Sequence, residues 1–145
     1  MIKTDIIIIG AGPVGLFAVF EAGLMKLKCH LIDAIPEVGG QLTEIYPKKP
    51  IYDIPGYPTI LAGELVNNLM EQASPFKPGF TLGERAEKIN KQVDGTFIVT
   101  TKEGTKHQAP VIMIAGGLGS FEPRKPKIDI LYNFEKKGVE FMVKD

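Results

Sequence analysis

The chain has 145 residues, 44% of them hydrophobic and 23% charged, which is the composition of an ordinary globular protein and excludes a disordered one. Seventeen Lys plus Arg balance 17 Asp plus Glu, so the basic excess of a nucleic-acid binder is missing and no nucleic-acid partner is expected. The single Cys29 excludes, within this chain, an internal disulfide, a dithiol redox pair and a cysteine-cage metal site, and it fits a reducing, cytoplasmic compartment.

Ile6 to Phe20 is uncharged, but Gly10, Gly12, Pro13 and Gly15 interrupt it and Glu21 ends it. That is short of the roughly 18 to 20 apolar residues a bilayer span needs, so the run reads as fold, with neither a signal segment nor membrane contact expected. Its first part, Ile6 to Ile9, is a β-branched run bounded by Asp5 and Gly10, the pattern of a strand buried on both faces of a parallel sheet. A helix should follow: Pro13 suits its first turn, Val14, Phe17, Ala18 and Ala22 recur at helical spacing, and Gly23 is its expected stop. Lys28 to Asp33 predicts a second strand, completing a strand, helix, strand unit with a right-handed crossover.

From Ala34 to Thr59 five prolines, Gly39-Gly40 and three tyrosines predict a long ordered loop, and loops of that length in compact domains are usually functional. Leu65, Val66, Leu69, Met70 and Ala73 mark one face of a second helix ended by Pro75. Asp94-Gly95 and Glu103-Gly104 are turn signals, predicting a three-stranded antiparallel meander over Ala86 to Lys91, Thr96 to Thr101 and Thr105 to Gln108. Val111 to Ala115 is a further apolar strand that returns to the parallel sheet if the meander is an excursion from it, and Pro123-Arg124-Lys125-Pro126 looks like an exit linker. The expected fold class is therefore α/β, a Rossmann-like βαβ unit with a parallel sheet plus a small antiparallel meander.

Gly10-Ala11-Gly12-Pro13-Val14-Gly15 fits the G-x-G-x-x-G fingerprint in its demanding context, after a predicted buried strand and opening a helix. The first glycine allows the tight turn, the second lets the backbone approach a pyrophosphate, and the third lets the helix pack closely on the strand. The helix N-terminus offers N–H groups and partial positive charge to phosphates. Asp33 follows Gly15 by 18 residues, at the end of the second strand, where a carboxylate can accept hydrogen bonds from ribose hydroxyls. These residues predict a dinucleotide site and leave FAD and NAD both open. His30 and His107 are too isolated in sequence for a metal site and read as strand-surface residues. Cys29 reads as a buried small hydrophobe, and Lys48-Lys49 as a solvated charge pair.

The GAGPVG turn, Asp33, Gly39-Gly40-Gln41-Leu42, and Ile45-Tyr46-Pro47 followed by Ile51-Tyr52-Asp53-Ile54-Pro55-Gly56 resemble the N-terminal, FAD-binding part of the thioredoxin-reductase-like (type 2) ferredoxin–NADP reductases, as does Phe121-Glu122-Pro123-Arg124-Lys125. The resemblance implies FAD as cofactor, NADPH as electron donor, ferredoxin or flavodoxin as protein partner, and a homodimer of the full-length protein. It implies that Gly10, Gly12, Pro13 and Gly15 form the pyrophosphate turn and that Asp33 meets the adenosine ribose. Gly40, Gln41 and Leu42 would lie along the ribityl and flavin region, with Tyr46 stacked on the isoalloxazine ring. Ala86 would touch the adenine through its backbone, and Ala115, Gly116 and Phe121 would line the return strand beside the cofactor. No side chain is expected to act as acid, base or nucleophile, and no metal is expected.

Two departures qualify the resemblance. Thioredoxin reductases carry a Cys-x-x-Cys pair where alignment places Met142 and Asp145, so a dithiol relay is not expected; electron transfer from flavin to an iron-sulfur protein needs no thiol. Family members also run on through a second glycine fingerprint for NADPH and a Gly-Asp motif, neither of which occurs here. Residues 1–122 are thus expected to be an incomplete FAD-binding domain, and 123–145 a linker and the start of an NADPH-binding domain. The alternatives are a non-catalytic module for FAD or an adenine nucleotide, a thioredoxin-reductase-like flavoprotein without the dithiol, and a small NAD-dependent dehydrogenase.

Overall fold

The computed structural model describes residues 1–119, 126–135 and 137–139. Its centre is a parallel sheet of β2 (Ile6–Ile9), β3 (Cys29–Asp33), β6 (Gly79–Leu82) and β10 (Val111–Ile114), in the order β10-β2-β3-β6. Registers such as Ile8 to Leu31 and Met113 to Ile8 confirm the parallel pairing. Connection by α1 (Pro13–Leu24) places β3 on one side of β2, whereas β10 returns to the other. This reversal beside β2 is the switch point at which open α/β sheets form a crevice beyond the strand ends.

The pleat sends alternate residues to two cores. Ile8 and Leu31, both fully buried, face α1 and α3 (Ala62–Ala73) together with Leu16, Val19, Leu65 and Val66. Ile7 and Ile32 face the opposite way, onto Val99 and Ala109. These belong to a second sheet, the antiparallel run β7 (Ala86–Lys91), β8 (Phe97–Thr101) and β9 (Lys106–Ala109). The predicted meander is thus present, and β1 (Ile2–Lys3) adds a fourth strand parallel to β9. Helices, parallel sheet and meander form three layers around residues that each contribute roughly 1.5 to 3 kcal/mol by burial.

Some local expectations are corrected. The predicted loop from Ala34 to Thr59 contains a one-turn helix, α2 (Gln41–Glu44), and its strand β4 (Pro50–Ile51) pairs antiparallel with β5 (Ile60–Leu61). In α1 the core face is Gly15, Leu16, Val19, Ala22 and Gly23, while Val14 and Phe17 are exposed. The helix is apolar nearly all round, so its contacts decide its face. Gly15 lies so close to the Gly10 carbonyl that a Cβ would collide with it, and this fixes the inward side.

Nor does Gly23 stop the helix. The left-handed residue is Lys26, at φ 62°, and the Lys26 and Leu27 N–H groups return to the Gly23 and Ala22 carbonyls, a Schellman ending. Gly23 is instead small because the Phe76 ring packs over it. The second helix ends as expected at Ala73, and Ser74–Phe76, containing Pro75, continues as a 3₁₀ turn. A one-turn helix, α4 (Asp129–Tyr132), lies in the later segment. Among the described residues no helix is long and apolar enough to cross a membrane.

Candidate functional site: a dinucleotide-sized cleft at the switch point

The carboxyl ends of β2, β3 and β10 open into one cavity of about 920 Å³, near the upper end of the usual range for small-molecule sites. Its glycine-rich floor is held by backbone bonds. Gly10 N–H donates to the Ile32 carbonyl at 2.8 Å, Ala115 N–H to Ile9 at 2.7 Å, and Gly39 N–H to Ala11 at 2.8 Å. The turn following β2 is therefore tied to β3, β10 and the segment entering α2.

The three fingerprint glycines are required by different things. Gly10 has φ 112° and passes so near the Ala115 carbonyl that a side chain would collide with backbone. Gly15 is excluded from bearing a side chain by the Gly10 carbonyl. Gly12 is different. Its φ of −75° and ψ of −176° are open to any residue, and a Cβ there would meet only the Gly40 Cα, at 4.0 Å. Among the described residues no contact explains a glycine at position 12. It is the N-cap of α1, Pro13 is the first helical residue, and the cap has neither a side-chain partner nor an acid in its first turn. The positive end of the helix dipole thus faces the cavity through bare backbone.

Asp33 stands at the end of β3 and lines the cavity. Its Oδ2 accepts the Ala11 N–H at 2.6 Å and its Oδ1 the Ile35 N–H at 3.0 Å. It therefore fixes the glycine turn to β3 and retains acceptor capacity on both oxygens. Its carbonyl accepts Glu84 N–H, which leads the chain into Arg85 and Ala86 on the cavity wall.

Across the floor Gly40 caps α2 at φ 58°, a left-handed position, and a Cβ there would lie 3.3 Å from the Gly12 Cα. Gln41, Leu42 and Tyr46 follow along the same wall, and the Tyr46 hydroxyl donates to Gln41 Oε1 at 3.3 Å. Leu42 reaches into the core as well. Ala115 and Gly116 complete the wall after β10.

Of the residues predicted for the site, the fold brings Gly10, Gly12, Pro13, Asp33, Gly40, Gln41, Leu42, Tyr46, Ala86, Ala115 and Gly116 around one cavity. Gly15 is buried behind the turn and shapes the site from beneath. Phe121 lies outside the described residues, as do Met142, Asp145 and most of the expected linker. The sequence reading missed Arg85 and the run Gly117 to Gly119, which also line the cavity. The second was signalled by its glycines just beyond a strand; Arg85 carried no signal without the fold.

The two histidines are neither surface residues nor isolated. Both are buried between the sheets, His107 completely, with ring centroids 4.8 Å apart. The Thr81 hydroxyl lies 2.8 Å from the Nε2 atoms of both. Having one proton, it donates to one ring and accepts from the other. Burial lowers the His30 pKa to about 4, with the neighbouring His107 adding to the effect, and burial also lowers that of His107. Cys29 is buried with a raised pKa, as expected of an inert core thiol.

No family model matches the chain. Across all 145 residues it is 73% identical to ferredoxin–NADP reductase 1 of Christiangramia forsetii and 70% identical to the ferredoxin–NADP reductase of Flavobacterium johnsoniae, covering 41% of each. It is 52% identical over 144 residues, 99% of this chain and 42% of the relative, to the ferredoxin–NADP reductase of Mesorhizobium japonicum. The chain thus spans 41–42% of the length of these curated relatives. In fold it resembles thioredoxin reductase from Streptococcus pyogenes, with TM-score 0.68 and 25% identity over 87% of this chain and 38% of that one. It also resembles thioredoxin reductase from T. acidophilum, with TM-score 0.69 and 21% identity over 95% and 42% of the two chains. The chain is thus similar over its full length to part of these ferredoxin–NADP reductases, and its fold is similar to that of part of the thioredoxin reductases.

Proposed function

We propose that the cleft binds FAD and that the protein carrying this chain passes electrons from NADPH to ferredoxin or flavodoxin. The observation that supports this best is Gly12, a glycine that neither its backbone angles nor its neighbours among the described residues require, set at a bare helix N-terminus on the cavity floor. Close approach of a pyrophosphate supplies the missing reason. Asp33, with acceptor capacity left on both oxygens, suits ribose hydroxyls of the adenosine half. Ala86 and its backbone form the adenine wall, and Ala115 and Gly116 close the side beyond β10.

Tyr46 presents an aromatic ring to the same cavity beyond Gln41 and Leu42, which suits the isoalloxazine end of FAD better than the nicotinamide of NAD. FAD would supply hydride acceptance from NADPH and one-electron release to the protein partner. The chain's own part is to hold the pyrophosphate at Gly12, Pro13 and Gly40, orient the ring against Tyr46 and keep water from that face. Residues 1–122 would form part of the FAD domain and 123–145 lead into the NADPH domain, with a homodimeric, cytoplasmic protein the expectation for the full length. The relatives' printed names support the electron partners.

The test uses the full-length protein. Flavin content, NADPH-driven flavin bleaching and reduction of added ferredoxin are measured for wild type, Gly12→Val and Tyr46→Ala. Gly12→Val should lose flavin by at least about 100-fold in affinity, in proportion to a blocked charge-assisted phosphate contact. Tyr46→Ala should retain less flavin and bleach more slowly. Full flavin content in both variants would remove the cleft from consideration.

A further inference from the structure

Tyr46 does not stand alone at the cavity wall. The Lys49 ammonium lies over its ring, 5.2 Å from the centroid, and among the described residues Lys49 makes no ion pair. Tyr46 lines the cavity and Lys49 does not. The arrangement is fixed by backbone. Lys49 N–H donates to the Tyr46 carbonyl at 3.1 Å, and the Lys49 carbonyl accepts Ala62 N–H at 3.0 Å. The Pro47 carbonyl accepts Gly63 N–H at 2.9 Å, so the turn from Tyr46 to Lys49 is stapled to the first residues of α3. At its other end the ring is held by the hydroxyl bond to Gln41. Lys48 and Lys49 are both exposed, and among the described residues only Lys49 lies over an aromatic ring.

We infer that Lys49 is a positioning residue that works through Tyr46, holding the ring's orientation and placing a positive charge behind it, so that a redox-active ring stacked on Tyr46 is stabilised in its electron-rich, reduced form. This rests on the reading of the cleft as a flavin site. A cation over an aromatic face is attracted by the ring's quadrupole and draws its π-electron density toward itself. Lys49 is itself exposed, so solvent screens part of its charge, and the ring contact is the path by which the remainder acts on the cavity side. Lys48 lacks that ring contact, which separates the two members of a charge pair that look equivalent in sequence.

The test is a charge series in the full-length protein loaded with FAD: Lys49→Arg, Lys49→Met, Lys49→Glu, with Lys48→Met and Tyr46→Ala as controls. The readouts are the midpoint potential of the bound flavin and its dissociation constant. Lys49→Met should weaken FAD binding by about two- to five-fold, the range for an exposed cation–π pair, and move the potential to more negative values. Lys49→Glu should move it further in the same direction, Lys49→Arg should restore it, and Lys48→Met should leave both readouts at wild type. A purely structural role for the lysine stem would not order the potentials by charge. If the Lys49 series matches wild type while Tyr46→Ala changes the flavin, the role of Lys49 is overturned and the flavin site stands. If Tyr46→Ala also leaves potential and affinity unchanged, the ring does not meet the flavin and the role of Lys49 falls with the stacking, while the cleft itself is judged by Gly12→Val.

Discussion

The two ends of β3 illustrate opposite relations between a residue and its surroundings. Toward its start and middle, His30 is enclosed with Thr81 and His107 between the two sheets, where the Thr81 hydroxyl meets the Nε2 atoms of both rings and only His107 Nδ1 is left without a hydrogen-bond partner among the described residues. Even Gly79 is accounted for there, because the His30 ring occupies the space its side chain would need. At its carboxyl end, Asp33 faces a cavity whose floor also holds Gly12, a residue that contacts among the described residues leave unexplained. Residues of the first kind report on folding. Those of the second kind report on a ligand, so substitutions in the two places should separate stability from binding.

The largest effect is expected where a fingerprint glycine serves the fold. Gly15→Ala drives a methyl into the Gly10 carbonyl and should cost about 3 kcal/mol or more in chemical denaturation, because the obstacle is backbone that cannot rotate away. Asp33→Ala comes next, leaving the Ala11 and Ile35 N–H groups without their acceptor. It should lose about 2 kcal/mol of stability together with flavin affinity, and Asp33→Asn, which keeps one acceptor oxygen, should recover part of both.

Between the sheets, Thr81→Val removes the hydroxyl shared by two buried imidazoles and should cost about 1 to 2 kcal/mol with flavin affinity nearly unchanged. The same cluster sets a pH dependence. His30 titrates at about 4 in the folded protein, against an ordinary value of 6.5 that the unfolded chain regains. Between those values the unfolded state binds more protons, so stability is full above about pH 6.5 and declines as pH falls toward 4. The lowered pKa of His107 acts in the same direction. Glu84, which accepts the Thr101 hydroxyl at 2.6 Å, has a lowered pKa too, and its contribution is lost only below its ordinary 4.5. Denaturation midpoints from pH 7 to 4 should therefore flatten in His30→Gln, most visibly above pH 4.5.

The sequence was most legible where local rules and the fold agree. The run Ile6 to Ile9, the glycine turn and the acid ending β3 form a local unit whose chemistry is set by spacing, so the strand, helix, strand core and that end of the cavity could be read directly, whereas Gly40, Gln41, Leu42, Tyr46, Ala86, Ala115 and Gly116 were expected there only through the family resemblance. The meander was legible from Asp94-Gly95 and Glu103-Gly104, where turns reverse the chain. What escaped depends on distant partners. The strand Gly79–Leu82 is short and follows Pro78, and it is a strand only because β3 pairs with it, His30 opposite Gly79. His30 and His107 meet through a layer that no sequence spacing describes, and Arg85 reaches the cavity by the bond from Glu84 N–H to the Asp33 carbonyl. The inward face of α1 escaped because a helix apolar on every side has no periodicity to read.

The most direct measurement is the thermal stability of Gly12→Ala in the full-length protein, first stripped of flavin and then with FAD added at about 100 times the wild-type dissociation constant. A methyl at position 12 has room and an allowed backbone, so the stripped variant should lie within about 0.5 kcal/mol of wild type. Wild type should gain about 2.7 kcal/mol from FAD at that excess, and the variant should lose most of the gain. A variant that is as stable as wild type when stripped, and that gains as much from FAD, would contradict the assignment of the Gly12 floor to a bound pyrophosphate.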